Sequence, residues 1–334
     1  MSHAGARPGR RKRLPLKVFS PVCRGRFMTT DEPGVTFATD ELAAWVQRVL
    51  QRYGMFAVEA ELLIARLFEA ETRGRSQEGL RKLQEIVTAF EMGDIDPRAR
   101  TLKGIDLPAF ATLDGSTGVG QVGASRAMQL AIDKAQTAGI ALVVVRNSQP
   151  CGDVRVIAEL AARAGCVGFC STNSGKAIFP GDEQGNWLST HPQAWALPGT
   201  SSAGWVASRE LSAAEFPFSE RGTAGLWHGV ISLALTAGLT SSRLPGVKKK
   251  SSPYGAGAEH CCLALNLATM QTEQNWESWT SATLPLAAPG WKPVEWSPLP
   301  ETITLASTTH IDLQDAAKQS RNPLPAERTP AGDA

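Results

Sequence analysis

Long apolar runs are absent from this chain. No stretch can cross a bilayer as a helix, which removes a helical membrane protein and the membrane as a partner. A strong charge of one sign is absent too. There are 34 Lys and Arg against 32 Asp and Glu, a net charge of +2. Much of the positive excess falls in residues 1–26, which are rich in Arg, Gly and Pro. That stretch lacks the apolar core of a secretory signal. It reads as a disordered tail, or as the product of a start codon upstream of Met28, rather than as a nucleic-acid arm. CxxC pairs are missing among the six cysteines, Cys23, Cys151, Cys166, Cys170, Cys261 and Cys262. That excludes the usual zinc spacing and favours reduced thiols in a cytoplasmic protein over a disulfide framework. Histidine is scarce: His3, His191, His228, His260 and His310 are the five. Internal repeats are lacking.

What is present is an ordinary globular composition, 43% hydrophobic and 20% charged over 334 residues, enough for a large core and two or three subdomains. Helical spacing predicts a first helix with Leu42, Val46, Val49 and Leu50 inward, N-capped by Thr39 or Asp40 and ended by Gly54. A second helix is expected over residues 57–72 and a third over 80–90, with a turn at 93–97. A short strand at 110–113 leads through Gly118-Val119-Gly120-Gln121 into a helix at 124–138. With Gly123 they close a G-x-G-x-x-G that lacks a Rossmann acidic partner, and they do not fit G-x-x-x-x-G-K-[ST], so they read as a tight turn with a helix start.

The chain is organised around residues 141–192. The β-branched run Ala141–Val145 is a buried strand, followed by a polar loop. A helix carries Val156, Ile157, Leu160 and Ala164 on one face and ends at Gly165. A second strand, Cys166–Cys170, empties into Ser171-Thr172-Asn173-Ser174. Two strands thus end in polar loops either side of one helix, which is where α/β proteins place ligands. Beyond come apolar segments at 194–198 and 204–208, a buried helix at 225–239, a flexible loop at 246–257 with a lysine run, and a strand at 260–267. Trp276, Trp279, Trp291 and Trp296 suggest a packing surface in preference to a ligand surface. The polar, Pro-containing end reads as disordered.

The order strand, Asn147-Ser148-Gln149-Pro150-Cys151-Gly152, helix, strand, Thr172-Asn173-Ser174, then Leu188-Ser189-Thr190-His191-Pro192 resembles the type 2 malate/L-lactate dehydrogenase family from about Phe37 to Leu305. The resemblance implies an α/β fold that is not the Rossmann fold, with a mixed central sheet and an N-terminal helical region. It divides the chain into a basic tail (1–36), a helical region (37–110), a central α/β cofactor-type domain (111–270), a segment returning to the body (271–307) and a disordered tail (308–334). It also implies NAD or NADP as cofactor, a small carboxylate substrate and a homodimer.

Family members carry one histidine in an S-H-G motif and a second in N-S-x-H-x-G. The second exchanges a proton with the substrate oxygen, a task suited to a group titrating near neutrality. This chain has Glu78 at the first position and Pro150 at the second, and proline cannot transfer a proton. The family's cofactor lysine is matched by Ala224, and two acids are matched by Gly204 and Trp291. Lys82 stands where the family has an arginine that grips the substrate carboxylate, keeping the charge without the bidentate fork. His191 replaces an asparagine in a pocket loop. The catalytic candidates are therefore Glu78, Lys82, Cys151 and His191, with Asp153 a further substitute acid. The cofactor-binding candidates are Thr172, Asn173, Ser174, Ser208, Gly225 and Gly290. Three readings stay open: a divergent oxidoreductase, a repurposed non-redox enzyme using Cys151 with His191, and a non-catalytic binding paralogue.

Overall fold

Leu42, Trp45, Val46, Val49 and Leu50 recur at helical spacing, and all five are buried along one side of α1 (Thr39–Arg52). The computed structural model describes residues 34–173, 177–180, 186–189, 192–199, 203–209, 246–248, 258–269, 292–296 and 298–328. Helix α2 (Ala57–Thr72) turns Leu63, Ile64, Leu67 and Phe68 inward, and α3 (Lys82–Met92) adds Leu83, Ile86, Val87 and Phe90. Together they build a first apolar core.

The expected caps and ends shift for identifiable reasons. The N-cap of α1 is Ala38, without a side-chain hydrogen bond, rather than Thr39 or Asp40. Strand β1 (Val35–Ala38) pairs antiparallel with the strand at Thr302–Leu305, so the Glu301 carbonyl reaches the Thr39 N–H at 3.0 Å and satisfies it directly. The first residues of the expected third helix stay in a turn, because the buried Glu71 carboxylate accepts from Ser76 Oγ at 2.6 Å and from the Leu80 N–H at 2.8 Å. The end of the chain, expected to be disordered from residue 308, contains a helix, Ser307–Ser320. Its Leu313 and Ala316 join the first core, and Trp45 Nε1 donates to the Asn322 carbonyl at 2.9 Å. Only Leu313 and Ala316 of its few apolar residues are buried, Ile311 standing exposed, so composition gives little sign of the helix.

The second core lies on one face of an eight-stranded sheet. Its strands are β2 (Leu102–Leu107), β3 (Phe110–Asp114), β4 (Ile140–Ser148), β5 (Cys166–Thr172), β8 (Gln193–Pro198), β9 (Ala203–Arg209), β11 (Ala258–Asn266) and β12 (Lys292–Glu295). Three short strands, β6 (Ala177–Pro180), β7 (Asn186–Ser189) and β10 (Gly246–Lys248), form a separate sheet, so the expected loop from 246 begins as a strand. The strand at Thr302–Leu305 is β13, and the final helix is α6. The large sheet runs β12-β9-β8-β5-β11-β4-β3-β2. Helices α4 (Gly120–Ala138) and α5 (Val154–Arg163) pack side by side against it, α4 on β4 and β11, α5 on β5 and β8. Gly168 is what lets α5 sit so close, since a Cβ there would meet the Ala158 carbonyl oxygen at 2.1 Å. The edge strand β2, not foreseen, is exposed at every residue, with Leu102, Ile105 and Leu107 in solvent. The sheet is mixed and differs from a Rossmann sheet: among the described residues its one parallel neighbour pair is β3 and β4. The helix expected at 225–239 and Trp276, Trp279 and Trp291 fall outside the described residues.

Candidate functional site

Strand direction decides where the site forms. Strands β4 and β5 each pair antiparallel with β11, so they run the same way and end at the same edge of the sheet. Strand β3, parallel to β4, ends there as well. Helices α4 and α5 start at that edge, and β11 delivers its first residues, Ala258 to His260, between the ends of β4 and β5. Ligands in open α/β sheets bind beyond the carboxyl ends of strands.

The loops there are tightly held. Asn147 turns the chain at the end of β4 with φ 51°, and its Nδ2 donates to Asp114 Oδ1 at 3.0 Å. Across from it Ser116 and Thr117 also have positive φ, 51° and 58°, and the Thr117 N–H donates to the Asn147 carbonyl at 2.7 Å. Left-handed backbone is costly for a β-branched residue, and such strain clusters at functional loops. Helix α4 begins at Gly120 rather than at residue 124. A side chain at Gly120 has no room, because its Cβ would lie 1.8 Å from the Gln149 oxygen and 2.4 Å from the Pro150 oxygen.

The residue that sequence reasoning missed is His260. It is wholly buried. Its Nδ1 lies 3.0 Å from Thr172 Oγ1, and its Nε2 lies 3.0 Å from the Gln149 carbonyl oxygen and 3.3 Å from Ser148 Oγ. One imidazole thus bridges both loops, directly under the peptide that precedes Pro150. The same turn of β11 takes up the neighbouring side chains. Thr172 Oγ1 donates to the Glu259 carbonyl at 3.0 Å, the Glu259 N–H donates to Asn173 Oδ1 at 2.9 Å, and Asn173 Nδ2 donates to Glu259 Oε2 at 3.2 Å. Cys151 is 1% exposed; Cys170 holds its thiol well below the ordinary range, with burial opposing and the charge of His260 adding to the lowering. The five described cysteines are free and buried.

A second cluster joins the loop after α2 to the start of α5. Asp153 N-caps α5, its Oδ1 accepting from the Arg155 N–H at 2.9 Å. Its Oδ2 lies 2.6 Å from Arg75 Nη1 but out of hydrogen-bond alignment, so the contact is Coulombic rather than a bidentate fork. Arg73 contacts the buried Glu159 at 2.5 Å. Burial pushes the Asp153 carboxyl up to about 7; Arg75 and Arg73 oppose the rise, and Glu159 and Glu78 add to it. Glu78, at the family's first histidine position, therefore acts on Asp153 through its charge. A carboxyl raised by burial beside a named charge partner is the kind of group that makes a functional-site candidate.

The remaining candidates separate. Lys82 is half-buried at the start of α3 with Nζ 2.8 Å from Glu85 Oε2. Ser208 is exposed on β9, opposite Ala194. His191, Ser174, Gly225 and Gly290 lie outside the described residues, so the expected partner of Cys151 falls there. Among the described residues no group of three or more His, Cys, Asp or Glu is placed to hold a metal ion. The described cofactor candidates do not fit a dinucleotide by themselves, because the side chains of Thr172 and Asn173 are turned to Glu259.

A model of the family described as malate/L-lactate dehydrogenase matches residues 37–207. The chain is 36% identical over 170 residues to a malate dehydrogenase of Pyrococcus abyssi, covering 50% of this chain and 46% of that protein. It is 31% identical over 151 residues to an L-sulfolactate dehydrogenase of Methanocaldococcus jannaschii, covering 45% and 44%. The chain spans about half the length of the curated relatives it matches. A solved malate dehydrogenase from Pyrococcus horikoshii OT3 superposes with TM-score 0.65 at 22% identity, covering 89% of this chain and 93% of that one. That is a likeness of fold.

Proposed function

The chain belongs to the malate/L-lactate dehydrogenase family, and from that premise we propose that it is a divergent oxidoreductase acting on a 2-oxo or 2-hydroxy acid or a related imine, with its proton handled by Asp153. The observation that carries this reading is the buried Asp153 carboxyl, pushed up to about 7, three residues beyond the proline that displaces the family's imidazole. Proton transfer works best from a group titrating near the working pH, and Asp153 meets that requirement by burial. Arg75 anchors the carboxyl, and Arg155 fixes it at the helix start. In the reductive direction Asp153 would give its proton to the substrate oxygen or nitrogen and return to carboxylate beside Arg75. Lys82 would supply positive charge for a substrate carboxylate.

The cofactor implied by the family is a nicotinamide dinucleotide, NAD or NADP, which supplies or accepts hydride when bound. Its grip falls in this proposal to Ser174, Gly225 and Gly290 and to Ser208 on β9. A homodimer in the cytoplasm completes the reading; no helix among the described residues is long and apolar enough to cross a membrane. The test is a thermal-shift titration with NADH and NADPH at about millimolar concentration, a ligand excess of 100 over Kd being worth roughly 3 kcal/mol. Stabilisation by either supports the oxidoreductase. Absence of any shift removes it in favour of a second reading, a paralogue that keeps the fold and binds a small carboxylate without a nucleotide. The commitment of Thr172 and Asn173 to Glu259 favours that alternative.

A further inference from the structure

The large sheet ends in an exposed strand. All six residues of β2 are exposed, and Leu102, Ile105 and Leu107 stand 57%, 55% and 55% in solvent. No described strand pairs with the outer side of β2. Its pairing with β3 sorts its side chains, because residues directly opposite each other share a face. Lys103 lies opposite Leu113 and Asp106 opposite Ala111, which belong to the core that α4 packs on. Leu102 and Leu107 lie opposite Asp114 and Phe110, on the other face. A bulge allows this. Gly104 and Ile105 together fill the register against Thr112, and the Ile105 N–H donates to Thr112 Oγ1 at 2.9 Å. The two charges therefore face α4, where Lys134 contacts Asp106 and donates to the Leu107 carbonyl at 2.7 Å. The two leucine side chains face away.

An exposed apolar edge invites another strand unless something covers it. The order Leu102-Lys103-Gly104-Ile105-Asp106-Leu107 favours a particular one, its own copy. Laid antiparallel to itself, it sets Leu102 opposite Leu107, Lys103 opposite Asp106 and Gly104 opposite Ile105. A two-fold axis through the middle repeats each match, as a closed two-fold interface requires. That axis stands perpendicular to the joined sheet, so both charge matches fall on the α4 side and both leucine matches on the other. A slip of one residue either way removes both charge matches, which specifies the register. Within one chain Lys103 and Asp106 lie 3.5 Å apart with side chains 62% and 43% exposed, so both charges stay open to a second partner. Six residues make a strip only about 20 Å long, and a stable interface buries roughly 1,200 Å² or more. Phe56 and Val58, both exposed, share a groove with Lys103 along the same edge and add apolar area.

We propose that a second copy of this chain pairs antiparallel with β2 in that register, joining two eight-stranded sheets into one across the edge. This pairing gives the homodimer of the reading above its surface, and rests on that part of the reading alone. The test is the mass of the full-length protein in solution, by sedimentation velocity over a range of concentrations. Four samples are compared: the native chain, Lys103→Asp, Asp106→Lys, and an equimolar mixture of the two variants. The native chain should sediment as a dimer. Each variant alone sets like charges opposite one another twice and should raise the dimer dissociation constant on the order of tenfold or more. In the mixture each new charge meets its opposite, and dimers holding one chain of each kind should re-form. A native monomer, or single variants that dimerise as tightly as the native chain, overturns the pairing. So does a mixture that dissociates as readily as its components. Where a charge variant fails to fold, Ile105→Lys decides, since that side chain stands in solvent. A folded monomer supports the edge, and an unchanged dimer overturns it. No cofactor enters the measurement, so failure of the oxidoreductase reading shows in the nucleotide titration and failure of this pairing in the sedimentation.

Discussion

Replacing Asp153 by Asn isolates the buried carboxyl with little else disturbed. Asn is an equally good N-cap, so the hydrogen bond from the Arg155 N–H at the start of α5 is kept, while the ionisable proton is lost. The native carboxyl is pushed up to about 7 against about 3.9 in an unfolded chain. A raised carboxyl binds its proton more tightly when folded. Its contribution to stability is therefore fully present below about pH 4 and is lost as pH rises through about 7. A shift of about three units corresponds to at most ~4 kcal/mol. Coupling to Arg75 and Glu159 shares that between partners, and about 2 kcal/mol is a reasonable working figure. Urea unfolding of both proteins, followed by tryptophan fluorescence between about pH 4.5 and pH 8, reads it. The stability difference should move by about 2 kcal/mol in favour of Asn as pH rises. A difference constant to within about 0.5 kcal/mol, or one moving the other way as for a carboxylate stabilised by its ion pair, would refute the assignment.

Other consequences follow from particular contacts. Gly120→Ala forces a Cβ onto the Gln149 and Pro150 carbonyls and should cost ~3 kcal/mol or prevent folding. Gly123→Ala, whose nearest neighbour is Ser148 Oγ at 3.1 Å, should cost clearly less in the same denaturation assay. Leu313→Ala opens a cavity between α6 and the first core, with an expected loss of ~3 kcal/mol; a loss under about 1 kcal/mol would mean that the helix is not part of the core. Trp45→Phe removes the donor to Asn322 and should cost ~1 kcal/mol. Hydrogen exchange should then speed up in α6 while α2 stays unchanged.

Much of the architecture was readable from local pattern. The bounds of α2 and the helix–strand alternation from β4 to β5 follow from apolar spacing and from Gly165, whose φ is 77°. The misses have a common cause, which is distance along the chain. Thr39 needed no side-chain cap because a carbonyl from residue 301 reaches it, and α6 is helical because Trp45 and its neighbours give it a surface to cover. Nothing near Glu78 or Asp153 in the sequence reveals that the charge of the first bears on the second. At the site, the absence of histidine from both motifs was visible, but the imidazole that lies under Pro150 comes from residue 260, 111 positions from its partner Gln149. A strand inserted between two others is invisible to any reading that moves along the sequence in order. The adjacent Glu259 and the alternation of buried residues in β11 gave only the strand.

The placement of β11 also bears on how the protein comes to exist. The recognisable family segment ends at residue 207, whereas the strand that zips β4 to β5 begins at Ala258. A nascent chain that has emerged through β9 therefore holds two sheet halves with a strand-wide gap and two open edges facing each other. Such edges recruit foreign strands. The half of the chain most easily assigned to a family is, on this account, the half least able to stand alone, and its acquisition of order waits for the late arrival of residues 258–266.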